Sequence, residues 1–303
     1  GIALFPASSA RAQFTFASDN ASNYGGTWSN GSDQGLGFGA WGLSAGANSG
    51  SYIGSPAGDG MGTTGIGTTA FATYSTGTGY FNASRGFDTG MGIGDSFSFY
   101  WAINFDAGGG GKGFDLRSGG SNIFTVNNGS SQTITAGGVN ADTGYGTTPM
   151  LVTLTRTGGS TYNFSMTSRS GGSTYSTTIN NSATIDGVNF YIGNQNNGDG
   201  RKNMYFNALS ITNSGVFNSG GTVTNANTFG GSGNLSVGNN TTLVLSGSGN
   251  NNYTGTTTVG AGSTLRLEGS STSDFRSAID GGGNLVKAGT GWVNLSGNNT
   301  YTG

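Results

Sequence analysis

Two aspartates flank a glycine loop in "FDAGGGGKGFDLR": Asp106 lies before it and Asp115 after it, with Arg117 close by. Paired carboxylates can cleave a glycosidic bond, one acting as acid and the other as nucleophile or base. Enzymes that do this on all-β folds typically set the pair on one strand, commonly as glutamates. The chain has a single glutamate, Glu268, far along the sequence. The stretch therefore reads as a hairpin loop with a solvated aspartate and an Asp–Arg pair, and no catalytic residue is assigned. Nor is "GGGGKG" a phosphate loop, because no strand-to-helix context surrounds it.

Aromatic rings offer a different chemistry. Tyr24, Trp28 and Trp41 sit in the glycine-rich stretch "NYGGTWSNGSDQGLGFGAW". Exposed rings of this kind stack on the C–H faces of sugars, and these three are the candidate ligand-binding residues. Burial in a core is the commoner explanation of any tryptophan. A third possibility is a cation. Asn194, Asn196, Asn197 and Asp199 make an oxygen-rich loop that could hold calcium. Calcium sites usually recruit several carboxylates, and one aspartate is thin support, so a plain Asn/Gly turn is favoured and no cofactor is required.

Composition limits what else is available. The 303 residues include 62 glycines and 3 prolines, only 8% are charged, and the net charge is −2. Cysteine and histidine are both absent, which removes Ser-His-Asp triads, cysteine nucleophiles and His/Cys zinc sites. Lysine and arginine are scattered, so there is no basic stripe for nucleic acid. No apolar run reaches the length of a spanning helix. Aromatics at 11% are ample for a core. Serine, threonine, asparagine and glycine all weaken helices, so strands and turns are expected throughout. A secreted protein without disulfides points to a bacterial surface.

The strands that would position these residues are legible as alternation. In "DSFSFYWAINF", Phe97, Phe99, Trp101, Ile103 and Phe105 share one face, while Ser98, Tyr100, Ala102 and Asn104 share the other. "PMLVTLTRTGGSTYNFSMTSRSGG" reads as a hairpin, with Val152 and Leu154 inward on one strand and Tyr162, Phe164 and Met166 inward on the next. Gly158-Gly159 would supply positive φ angles at its turn. Strands at intervals of about ten residues, with no helical period, predict an antiparallel sandwich. The order of these strands, and above all "IDGVNFYIGNQNNGDGRKNMYFNALSIT", resembles concanavalin-like and laminin-G-like jelly rolls over residues 13–212. Many such domains bind glycans and many are structural.

At the start, "GIALFPASSARAQFTF" carries the small-x-small pattern Ala10-Arg11-Ala12 of a signal-peptidase site. Residues 1–12 are thus expected to be a signal remnant, in a chain that begins part-way through its gene. At the other end, "GNLSVGNNTTLVLSGSGNNNYTG" (233–255) aligns with "GNLVKAGTGWVNLSGNNTYTG" (283–303), with "TTTVGAGSTLRLEG" between them. Leu243 with Leu245, Leu265 with Leu267 and Val293 with Leu295 are the inward pairs. Such repeats stack into a solenoid whose corners are made by Gly and Asn, which tolerate left-handed backbone. The expected order is a sandwich over 13–212, a linker over 213–230 and an incomplete β-solenoid over 231–303.

The repeats resemble the autotransporter-associated β-strand repeat, also called the passenger-associated transport repeat. That resemblance implies a right-handed parallel β-solenoid on a secreted or surface protein, exported through an outer-membrane β-barrel that would lie beyond residue 303. An autotransporter-like passenger with a structural or adhesive role is the first expectation. Alternatives are an extracellular carbohydrate-binding module for cell-surface or matrix glycans, and a matrix or filament subunit self-associating through solenoid ends or sheet edges.

Overall fold

Alternation of side chains across the sheets accounts for most of the core. The computed structural model describes residues 13–104, 110–129, 132–143, 145–195, 203–247 and 249–303. The expected signal remnant at 1–12 lies outside the described residues, as does Phe105. Two compact units emerge: Ala17–Ile211, and a second made of Thr212–Gly303 with the described residues before Ala17.

The first unit is an antiparallel sandwich. Its early strands are β1 (Phe14–Asp19), β2 (Gly42–Ala45), β3 (Ser49–Gly54), β4 (Ala70–Ser75) and β5 (Tyr80–Gly86). Next come β6 (Asp95–Ile103), β7 (Gly111–Ser118), β8 (Ser121–Asn128), β9 (Ile134–Ala136) and β10 (Val139–Asp142). β11 (Met150–Gly158), β12 (Thr161–Thr167), β13 (Thr174–Asn180), β14 (Gly187–Gly193) and β15 (Asn203–Asn213) complete it. One sheet runs β13-β12-β11-β6-β15-β4-β3, with β1 beside β15; the other runs β10-β9-β8-β7-β14-β5-β2.

The long alternating strand is β6, and Phe97, Phe99, Trp101 and Ile103 are all buried. Ala102, on its opposite face, is buried too, because residues 55–69 fold over that face and pack Met61 and Ile66 against Ala72, Ala102 and Tyr205. The hairpin of β11 and β12 pairs Val152 with Met166 and Leu154 with Phe164. Its turn differs from expectation: neither Gly158 nor Gly159 has a positive φ. Between the sheets Phe190 stacks on Phe206 with ring centroids 3.7 Å apart and planes 3° from parallel.

The second unit is a parallel solenoid. Its strands are β16 (Val216–Phe217), β17 (Gly221–Asn225), β18 (Leu235–Val237), β19 (Thr241–Leu245) and β20 (Thr257–Val259). β21 (Thr264–Leu267), β22 (Ser273–Phe275), β23 (Ile279–Asp280), β24 (Asn284–Lys287) and β25 (Val293–Leu295) follow. They form three parallel sheets, β16-β18-β20-β23, β17-β19-β21-β24 and β22-β25. Val223, Leu243, Leu265 and Leu285 stack in register, which gives rungs of 20 or 22 residues. The corners are as expected: Gly220, Asn240 and Gly262 have φ of +73°, +54° and +76°.

Three sequence expectations change. The stretch 213–230 is not a linker; β16 and β17 lie in it and pair in parallel with β18 and β19, and its Phe217, Val223 and Phe229 are buried. Phe14 and Phe16 belong with the solenoid rather than the sandwich. The 50-residue match is also out of phase with the rungs. Leu235 stacks on Thr257 in one sheet, whereas Leu285 stacks on Leu265 in another. Val293 and Leu295 stack on Ser273 and Phe275, so they do not continue the column of Leu243 and Leu245.

Candidate functional site

On β7 the sequence "GKGFDLRS" sends Phe114 and Leu116 into the core and Asp115 to the outer face of its sheet. Asp115 is no solvated loop residue: it sits mid-strand and is 6% exposed. Register then decides its neighbours. Thr125 of β8 and Asn189 of β14 lie directly opposite it on either side, and Ser84 of β5 faces Asn189. In the next row Asn127, Gly113, Tyr191 and Asn82 come together across the same four strands. Cross-strand neighbours of this kind are close enough for side chains to bond.

The carboxylate of Asp115 is well held. Its Oδ1 accepts from Thr125 Oγ1 at 2.7 Å and its Oδ2 from Asn189 Nδ2 at 3.3 Å. Asn189 Nδ2 also reaches Asn82 Oδ1 at 3.2 Å. An ionised carboxylate has about four acceptor positions, so two bonds leave capacity for more donors.

Beside it, Tyr191 uses the space that Gly113 leaves. A Cβ at Gly113 would lie 2.6 Å from the Tyr191 hydroxyl oxygen and 2.8 Å from its Cζ, so the ring rests on bare backbone. The hydroxyl donates toward Asn127 Oδ1 at 3.0 Å or the Val126 carbonyl at 3.2 Å. Burial, and then the charge of Asp115, raise the Tyr191 phenol well above the ordinary tyrosine range, so it stays a neutral donor. These groups line a groove of about 430 Å³ together with Asn122, Asn194 and the 54%-exposed Tyr80. A ring platform beside a fixed carboxylate and amides suits a ligand with one apolar face and several hydroxyls.

The three aromatic candidates from the sequence lie elsewhere. Tyr24, Trp28 and Trp41 are all buried, Trp41 with only 1% exposure, so they offer no ring face to a sugar. Trp28 lies 5.2 Å from Trp41 and 4.9 Å from Phe71, ring centre to ring centre. Their polar atoms are partly satisfied inside: Trp41 Nε1 donates to the Tyr24 hydroxyl at 3.0 Å, which donates to Asp19 Oδ2 at 2.7 Å. Burial, and then the Asp19 carboxylate, push the Tyr24 phenol up to about 12.

Of the calcium candidates, Asn194 is in the groove wall with φ of +55°, and its backbone N–H donates to the Gly79 carbonyl at 2.9 Å. Asn196, Asn197 and Asp199 lie outside the described residues, as does Asp106. Among the described residues no three acidic side chains gather as cation ligands would. Arg117 turns away from any pairing role, its Nη2 donating to the Gly120 carbonyl at the β7–β8 turn. The sequence reading missed Asn82, Asn189 and Tyr191. For Asn189 and Tyr191 the signal was present in "GVNFYIG", where they alternate outward between Val188, Phe190 and Ile192.

No protein-family profile matches the chain, and no curated protein does. Solved structures are similar at low identity. A sialidase matches at 8% identity over 57% of this chain and 17% of its own, with a TM-score of 0.40. The winged bean acidic lectin, solved with methyl-α-D-galactose, matches at 10% over 64% of this chain and 97% of its own, with a TM-score of 0.34. The binding domain of botulinum neurotoxin serotype G matches at 12% over 65% and 47%, also at 0.34. The chain thus spans less than a fifth of the sialidase and about half of the neurotoxin chain. At these scores the likenesses carry no argument about ligand.

Proposed function

We propose that the chain is an extracellular carbohydrate-binding protein of a bacterial surface, and that the β8-β7-β14-β5 groove holds the sugar. The observation that carries this is the Asp115 carboxylate, fixed by Thr125 and Asn189 beside a Tyr191 ring laid over Gly113. A carboxylate and amides take sugar hydroxyls, and the ring takes the C–H face. A glycan array on the whole chain, followed by calorimetry on the hits, tests it. Hydrogen bonds to a charged group contribute about 1.5–3 kcal/mol, so Asp115→Ala is expected to weaken binding about 10- to 100-fold. A folded Asp115→Ala protein that binds as tightly as the parent overturns the assignment to this groove. Silence across the array leaves a structural role for the sandwich.

The solenoid favours a second reading, with the resemblance to passenger repeats behind it. Its rungs stack in parallel register, each completing its hydrogen bonds on the one before. On a surface-exported chain such rungs add one at a time, and each disfavours sliding back. Deleting residues 233–303 from the complete exported protein is expected to slow its surface display. Display at the parent rate counts against this role.

A further inference from the structure

We infer that the groove selects neutral sugars carrying a vicinal diol and discriminates against sialic and uronic acids. This rests on the carbohydrate reading proposed above and names its ligand class. Two features of the groove support it, one of charge and one of bonding geometry.

The charge is one-sided. Among the described residues that line the groove, Asp115 is the sole carboxylate and no lysine or arginine stands beside it, and it is almost fully buried. The nearest cations in sequence do not answer it. Lys112 is on the opposite, core-facing side of β7 and reaches Asn104 Oδ1 at 3.4 Å. Arg117 is held at the turn by the Gly120 carbonyl. An anionic sugar would therefore meet a like charge in a partly desolvated site, where repulsion is poorly screened.

The bonding geometry asks for donors. Each Asp115 oxygen already accepts one bond, from Thr125 on one side and Asn189 on the other, and each has lone-pair capacity for one more. Two neighbouring ring hydroxyls match the two oxygens of one carboxylate. A sugar carboxylate in that place has no proton to donate. Tyr191, kept neutral, supplies a ring platform at the side of the diol site and needs an uncharged C–H face above it.

The test pairs neutral and acidic probes on the intact chain: lactose against sialyllactose, and galactotriose and cellotriose against tri-galacturonate, by calorimetry or saturation-transfer NMR. The expected result is binding of at least one neutral probe, with its acidic counterpart at least tenfold weaker. Asp115→Asn keeps the shape while removing the charge; it is expected to weaken neutral binding about tenfold and close most of the gap. Acidic probes that bind as well as neutral ones overturn this inference while the carbohydrate reading stands. If no sugar in the panel or the array binds, both fall. The parent comparison decides the matter even if Asp115→Asn does not fold.

Discussion

Arg85→Met is expected to destabilise the sandwich by about 3–5 kcal/mol, the usual cost of stranding one partner of a buried ion pair. Arg85 and Asp19 are both buried, and Arg85 Nη2 lies 3.0 Å from Asp19 Oδ2. The guanidinium also reaches Asp33 Oδ1 at 3.2 Å and the Ser32 carbonyl at 3.3 Å, and it lies over the Trp41 ring at 4.9 Å. Methionine keeps much of the packing and loses the charge. Asp19 would keep the Tyr24 hydroxyl and the Asn20 amide as donors, which leaves its negative charge uncompensated in the core. Replacing both partners, as Asp19→Asn with Arg85→Met, removes the stranded charge and is expected to cost less than Arg85→Met alone. Denaturant unfolding of the two variants checks the order. A single variant within 1 kcal/mol of the parent, or a double variant less stable than the single, rejects the account. The same pair explains Gly35, where an added Cβ would come within 2.7 Å of Asp19 Cγ and 2.8 Å of Arg85 Nη2.

What the sequence disclosed depended on how far apart the interacting residues lie along the chain. β6 and the β11–β12 hairpin were legible because their burial follows from local alternation, two residues at a time. The groove was not, because Asp115 meets Thr125 ten positions away but Asn189 seventy-four away, and only register brings them together. Tyr24, Trp28 and Trp41 sat in a glycine-rich run where core burial and sugar stacking were both open. Their burial against Phe71 and Phe206 is set by strands far along the chain. In the solenoid, the presence of stacked rungs was legible while their phase was not. Each rung has several Gly/Asn corners, so similar corner phrases recur at different faces.

The first solenoid rungs borrow core from the start of the chain, and Phe14→Ala is expected to expose that dependence. Phe14 is fully buried, and its ring meets Phe229 edge-on at 4.7 Å and Tyr253 at 5.2 Å. The aromatic column continues from Tyr253 to Phe275 at 5.7 Å, one rung further on. Gly215 accommodates the ring: a Cβ there would lie 2.5 Å from Phe14 Cε2. A rung such as β16–β17 offers only Phe217 and Val223 as large inward side chains on its two strands, too little apolar area to order its own backbone. Phe14 supplies part of the deficit, in the manner of a terminal cap on a repeat array. Truncating a buried phenylalanine costs about 3–5 kcal/mol, and in a quasi-one-dimensional stack the loss concentrates in the rungs it touches. Hydrogen exchange reads that directly. Amides of β17 and β19 are expected to lose protection in Phe14→Ala while those of β6 and β11 keep theirs. Phe14→Leu, which retains most of the buried area, is expected to recover a large part of it. Equal loss across both units would mean that Phe14 acts on global folding, and unchanged protection in β17 and β19 would mean that the rungs order themselves without it.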